Sequence, residues 1–202
     1  MDIFESKDIR PMAAGGAGEP FDSPGYIFEP EPGGERLLAY LDPLSGTELR
    51  DAENRNALGN APELLYIHKQ ARFKCILDGT FVIFMDGKPS LSQMQNRASD
   101  DFGTRLKSFG HPASFIAFDI LYCKDREVTS LPLSERKKLL SEAVTENMRI
   151  TLSRYTEKSG KELCRMAKEQ GFSGVVAKRT DSGYFPGSRT KDWIKIQGPG
   201  NG

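Results

Sequence analysis

The chain is 202 residues long, 38% hydrophobic and 28% charged, which suits one soluble domain, or one with a small appendage. No run of about 18 apolar residues is present, which excludes a membrane-spanning helix, and the charged first residues exclude the apolar core of a secretory signal. Twenty-eight basic and 28 acidic residues cancel to a net charge of zero, so any binding of nucleic acid has to come from a local patch.

Residues 1–25 are rich in Gly, Ala and Pro (12–20 read MAAGGAGEP) and predict an irregular lead-in. Residues 28–36, Phe-Glu-Pro-Glu-Pro-Gly-Gly-Glu-Arg, predict a strand entering a tight turn and leaving in a second strand, with Gly33 and Gly34 supplying positive φ and a close approach to a ligand. Pro30 and Pro32 each remove a backbone donor, which speaks for a stiff loop and against a central strand. The second strand turns back over Asp42-Pro-Leu-Ser-Gly46 as a hairpin. Residues 51–60 read as a loop and 61–71 as a short helix with Leu64, Leu65 and Ile67 at roughly helical spacing. Residues 73–84 read as two strands meeting at, or bent around, Gly79.

A helix is predicted over 90–98, and the apolar run 113–122 predicts a buried central strand. Ser134 reads as the cap of a helix running through 144 with Leu139 and Leu140 facing inward, and 148–155 as a strand. Ser159-Gly-Lys-Glu162 has the form of a capping box, opening a helix that ends at Gly171. A strand at 173–178, a Gly/Ser/Pro loop at 181–190 and a last strand at 192–197 follow, with 198–202 as a flexible tail. Strands and helices mix without strict alternation, so the fold class is α+β on antiparallel sheets.

The three cysteines, Cys75, Cys123 and Cys164, form no C-x-x-C pair and predict core-filling thiols in a reduced, cytoplasmic setting. Two histidines, His68 and His111, argue against a zinc site.

Several of these segments, in their order, resemble the motifs of ATP-dependent DNA ligases. Phe28, Glu29, Gly34 and Arg36 fit the family's first motif, Phe-Glu-x-Lys-x-Asp-Gly-x-Arg, while Glu31 stands at the nucleophilic lysine and Gly33 at the aspartate. Phe118-Asp-Ile-Leu-Tyr122 is similar to the motif whose aromatic stacks on adenine. Residues 173–179, Ser-Gly-Val-Val-Ala-Lys-Arg, and 192–197, Asp-Trp-Ile-Lys-Ile-Gln, are similar to the two lysine-bearing motifs that follow. Leu77-Asp-Gly-Thr80 resembles the family's Leu-Asp-Gly-Glu.

The resemblance implies an ATP-grasp-like nucleotidyltransferase (adenylation) domain over 26–197, with antiparallel sheets flanked by helices. It also implies no OB-fold domain, because Gly198-Pro-Gly-Asn-Gly202 stands where the family continues into one.

The departures from the family fall on the chemistry. Self-adenylation needs an uncharged amine beside the α-phosphate and cations around it. Glu31 replaces that amine by a carboxylate, Thr80 and Ser173 replace two metal-associated glutamates, and Gln197 replaces a lysine. Glu53 falls near the position of a family arginine.

No catalytic residue and no metal ligand are therefore expected. The vestigial nucleotide site comprises Glu29, Gly34, Arg36, Phe118, Lys178 and Lys195. No cofactor is expected, and ATP and Mg²⁺ enter only if the site still functions. Phe118 reads either as a stacking platform or as plain core, and Arg36 as a structural partner of Glu29 or Glu31. Lys178, Arg179, Arg189, Lys191 and Lys195 read either as a patch for phosphate or DNA or as solvated strand ends, and Trp193 as a packing anchor.

The functional expectation is an adenylation domain of the DNA ligase kind that is defective in self-adenylation. It keeps a nucleotide-, nucleic-acid- or partner-binding role. The alternative is an active ligase for DNA repair, with altered chemistry or with groups supplied by a partner chain or an active paralogue.

Overall fold

The structure is a computed structural model that describes residues 2–98 and 110–197. Among these residues, two sheets face each other across a cleft. The first runs β1 (Ala13–Ala17), β12 (Arg189–Gln197), β11 (Gly174–Arg179), β2 (Ser23–Glu31), β10 (Thr156–Lys158). The second runs β4 (Gly46–Arg50), β3 (Glu35–Asp42), β5 (Cys75–Met85), β7 (Ala113–Cys123), β8 (Arg126–Glu127), with β6 (Lys88–Pro89) on β5 and β9 (Ile150–Leu152) on β7. Pairing is antiparallel except for β1 with β12 and β7 with β9, in keeping with the expected α+β class.

Period-two alternation places the side chains. On the first sheet, Phe28, Val175, Ala177 and Ile196 are fully buried on one face, against Ala167 and Leu163 of α4 (Gly160–Glu169). The other face carries the polar residues of the cleft. Behind the second sheet lies the largest apolar cluster, built on Leu37, Leu77, Phe115 and Ile120 and closed by Leu140 of α3 (Leu133–Ala143). A further cluster with Met12, Tyr40, Tyr184 and Trp193 joins the two sheets.

Several expectations need correction. The lead-in is not irregular: it holds α1 (Ile3–Ser6), capped by Asp2, and β1, and it buries Phe4, Ile9 and Met12 in the core. Three alanines and two glycines in five residues give no strand signal, so only the docking against β12 makes them one.

Pro30 lies inside β2, which has neighbours on both sides. The proline is tolerated because β10 pairs only with Ser23, Ile27 and Phe28 and leaves no partner for the missing donor. The strands on either side of Gly33-Gly34 do not form a hairpin, because the turn carries the chain from the first sheet to the second. Gly34, at φ 144°, is needed there, since a Cβ would meet Phe81 O at 2.4 Å. The hairpin over 42–46 forms as expected, joining β3 to β4.

Residues 75–85 are one strand with two irregularities of register, not two strands. Gly79 lets β7 pass, since a Cβ would lie 2.4 Å from Phe115 Cζ. Residues 58–70 form three 3₁₀ turns (Leu58–Asn60, Pro62–Leu64, Ile67–Gln70) instead of a helix.

Ser134 is not the cap of α3, and Ser159 stands at the N-cap of α4 without a side-chain capping bond. α3 starts after Pro132, and its first N–H groups go to Ser182 and Thr180 carbonyls, while Asp22 accepts from Lys161 N–H at 3.0 Å at the start of α4. The helix over 90–98 is present as α2 (Leu91–Ala98). Of the strand expected at 148–155, only Ile150–Leu152 forms. The tail 198–202 lies outside the described residues.

Candidate functional site: a cleft lined with paired charges

Register brings the site together. Glu29, Val176 and Lys195 are lateral neighbours across β2, β11 and β12, and Lys178 lies beside Trp193 one step further. Glu31 shares the face of Glu29, two residues along β2. Across the cleft, Arg36, Thr80 and Ile116 form the matching row on β3, β5 and β7, with Phe118 two residues beyond Ile116. The enclosed volume is about 430 Å³, and Ala13–Ala17 forms one wall.

Lys178, Lys195 and Arg36 on the cleft face are matched with carboxylates. Lys195 Nζ donates to Glu31 Oε1 at 2.9 Å. Lys178 Nζ donates to Glu29 Oε2 at 2.6 Å, and Lys137 of α3 reaches the other oxygen, Oε1. Arg36 meets Asp78 through two hydrogen bonds, of 2.9 and 2.5 Å, and not Glu29 or Glu31. Tyr184 Oη donates to the same carboxylate at 2.6 Å and accepts from Met12 N–H at 2.9 Å.

Lys178 is 2% exposed, with its Nζ 4.0 Å from the Phe118 ring centre and 4.2 Å from that of Trp193. Burial pulls its pKa below the ordinary amine value, Glu29 pushes it back up, and Lys137 lowers it again. Burial, with Asp78 beside it, pushes the Tyr184 phenol up. Two polar atoms of cleft-lining residues stay without partners, Glu31 Oε2 and Trp193 Nε1.

Glu29, Arg36, Phe118, Lys178 and Lys195 thus converge on one cleft with Glu31, and Gly34 shapes the turn beside it. Phe118 is partly buried, lines the cleft and packs edge-on against Trp193, which is buried as expected of an anchor. Of the five residues of the expected basic patch, three are ion-paired. Lys178 and Lys195 are paired as above, Arg179 is paired with Asp181 and Asp192, and Arg189 donates to Ala14 O at 2.7 Å. Glu53 lies outside the cleft, paired with Arg55 at 3.0 Å.

The sequence reading missed four contributors: the wall Ala13–Ala17, Asp78, Tyr184 and Lys137. The last had a signal, because Arg136 and Lys137 fall on the buried stripe of α3 with Leu133, Leu140 and Ala143.

The residues present do not suit a metal. Ser173 Oγ donates to Glu31 O at 2.8 Å, Thr80 offers a hydroxyl, and both cleft carboxylates are held by lysines. Among the described residues no group of three His, Cys, Asp or Glu is placed to hold an ion.

A facing pair of largely antiparallel sheets around such a cleft defines a nucleotidyltransferase-type domain. The ATP dependent DNA ligase domain matches residues 27–197. The multifunctional non-homologous end joining DNA repair protein LigD of Mycobacterium tuberculosis (strain ATCC 25618 / H37Rv) is 32% identical over 196 residues, covering 96% of this chain and 24% of that protein. A DNA ligase of Thermococcus fumicolans is 32% identical over 208 residues, covering 96% of this chain and 37% of its own length. A mycobacterial DNA ligase D solved in complex with ATP and MES superposes with a TM-score of 0.79 at 29% identity, over 95% of this chain and 60% of that one. The chain belongs to the ATP-dependent DNA ligase family and forms its adenylation domain. It spans about a quarter of the length of the LigD proteins it matches.

Proposed function

We propose that this chain is a ligase-type adenylation domain that does not adenylate itself and uses its cleft for binding. The observation that carries this reading is the Glu31–Lys195 ion pair at 2.9 Å. The position that needs an uncharged amine holds a carboxylate, and the neighbouring lysine is spent on neutralising it. The lost metal carboxylates act in the same direction, since nothing gathers a cation to offset charge on a triphosphate. With each cleft lysine already facing a carboxylate, Mg·ATP has to break an ion pair for every lysine contact it makes, and its affinity is expected to be weak. The activity, DNA substrate and partners of any larger protein are proposed only as those of a DNA-repair ligase system in which this domain binds without reacting.

Intact-mass spectrometry after incubation with ATP and Mg²⁺ tests the proposal. No AMP-sized adduct is expected, and a stoichiometric adduct overturns it. One distance favours a second reading, because Lys195 Nζ sits within hydrogen-bond reach of the carboxylate that replaced the nucleophile. In that reading Lys195 is a relocated nucleophile, and peptide mapping would then find the adduct on Lys195.

A further inference from the structure

Cys75 opens β5 and Cys123 closes β7, and the two are direct partners across that ladder. Both are at most 1% exposed and belong to the same apolar cluster, so their side chains share one face of the sheet.

The main-chain hydrogen bonds give the type of this pair. Along a strand, successive residues turn their N–H and C=O to opposite neighbours. Val128 N–H donates to Leu121 C=O at 2.9 Å, so Leu121 and, two residues on, Cys123 face β8. From the other side, Ala57 N–H donates to Leu49 C=O at 2.9 Å, so Leu49 faces away from β3. Its partner Ala39 therefore faces β5, and so does Leu41; the register Ala39↔Leu77 and Leu41↔Cys75 then turns Cys75 toward β3. The two derivations agree. Neither cysteine bonds its main chain to the other, and they form the narrow kind of antiparallel pair, with Cα atoms about 4.5 Å apart. That separation falls inside the window a disulfide spans, about 4.4–6.8 Å.

We propose that Cys75 and Cys123 are a dithiol site that oxidises to an intramolecular disulfide. With a low-molecular-weight disulfide such as oxidised glutathione, the Cys123 thiolate attacks one sulfur and the first glutathione leaves as thiolate. Cys75 then attacks the Cys123 sulfur and the second glutathione leaves. Both thiol protons end on the two released glutathiones, which take up the two electrons.

Burial pushes both thiols up, so the reaction goes through an opened state and not through the closed sheet. β8 is two exposed residues, joined to β7 by Lys124 and Asp125, both at positive φ (54° and 57°). β5 carries Thr80 and β7 carries Phe118, both lining the cleft, so the bond links the two strands of that wall.

The test incubates the full chain with oxidised glutathione in a non-denaturing concentration of urea, alkylates free thiols and maps peptides. A Cys75–Cys123 bridge with Cys164 alkylated is expected, together with a melting temperature raised by about 5–15 °C and restored by dithiothreitol. Cys75→Ala and Cys123→Ala are each expected to lose the rise, and Cys164→Ala to keep it. Alkylation of all three cysteines in the wild-type chain, or a bridge that includes Cys164, overturns the proposal without reference to any variant.

Discussion

Lys178 is held between two aromatic rings with one oxygen of Glu29 as its counter-charge, because Lys137 takes the other. Its folded pKa lies below 10.5, so the unfolded chain binds the proton more tightly. Between the folded value and 10.5, unfolding takes up a proton and stability rises with pH. Melting curves of the wild type and Lys178→Met from neutral pH to about 10 check this. The wild type is expected to gain on the variant as pH rises, and parallel curves contradict the assignment. Glu31→Lys is a second probe. Alone it is expected to give no AMP adduct, since the new ammonium faces Lys195; at about 4 Å that repulsion is roughly 1 kcal/mol in water and about 4 at an effective dielectric near 20. Gly33→Asp would add strain to any fuller repair, because Gly33 sits at φ 68° and a Cβ there would lie 3.0 Å from Leu91 Cδ2. Groups that act as a unit are not recovered one at a time. Adduct formation by the single variant, read by intact mass, would point to a site silenced by Glu31 alone.

At the scale of elements, α3 is fixed by a buried charge. Arg136 is fully buried, bonds Asp119 of β7 at 2.8 and 3.0 Å, and donates to Ser182 O at 2.9 Å. Arg136→Ala leaves Asp119 without a counter-charge and is expected to cost about 3–5 kcal/mol in urea unfolding. Asp119→Leu combined with Arg136→Met is expected to recover much of that loss, since an apolar pair replaces a buried ionic one. The helix itself was legible in the sequence, and so were the buried strand at 113–123 and the hairpin over 42–46, because each rests on local periodicity or turn chemistry. Its anchoring was not legible, because Ser182 and Asp119 lie 46 and 17 residues from Arg136. The same holds in the cleft. The motif residues were legible through resemblance, whereas the Glu31–Lys195 and Arg36–Asp78 partnerships arise only when strands 164 and 42 residues apart meet. β1 left no mark at all, since Ala-Ala-Gly-Gly-Ala has neither pattern nor propensity.

At the scale of the whole molecule, the residues before β2 belong to the body of the fold. Phe4, Ile9 and Met12 are buried, and Met12 N–H bonds the phenol that supports Asp78. Removing residues 1–17 is expected to lower the unfolding free energy by on the order of 5 kcal/mol, the worth of three buried apolar side chains, and to release Arg189 from Ala14. Denaturant unfolding of the shortened chain checks this, and an unchanged midpoint would show that the segment only rests on the surface. The parallel pairing of β1 with β12 also sets an order of events during synthesis. A ribosome adding about 5–20 residues per second needs roughly 9–34 s to pass from the end of the first of these strands to the start of the last. For that interval Ala13–Ala17 has no edge to dock on, and the cleft lacks a wall. The cleft is therefore completed only once β12 has been made and β1 can close on it.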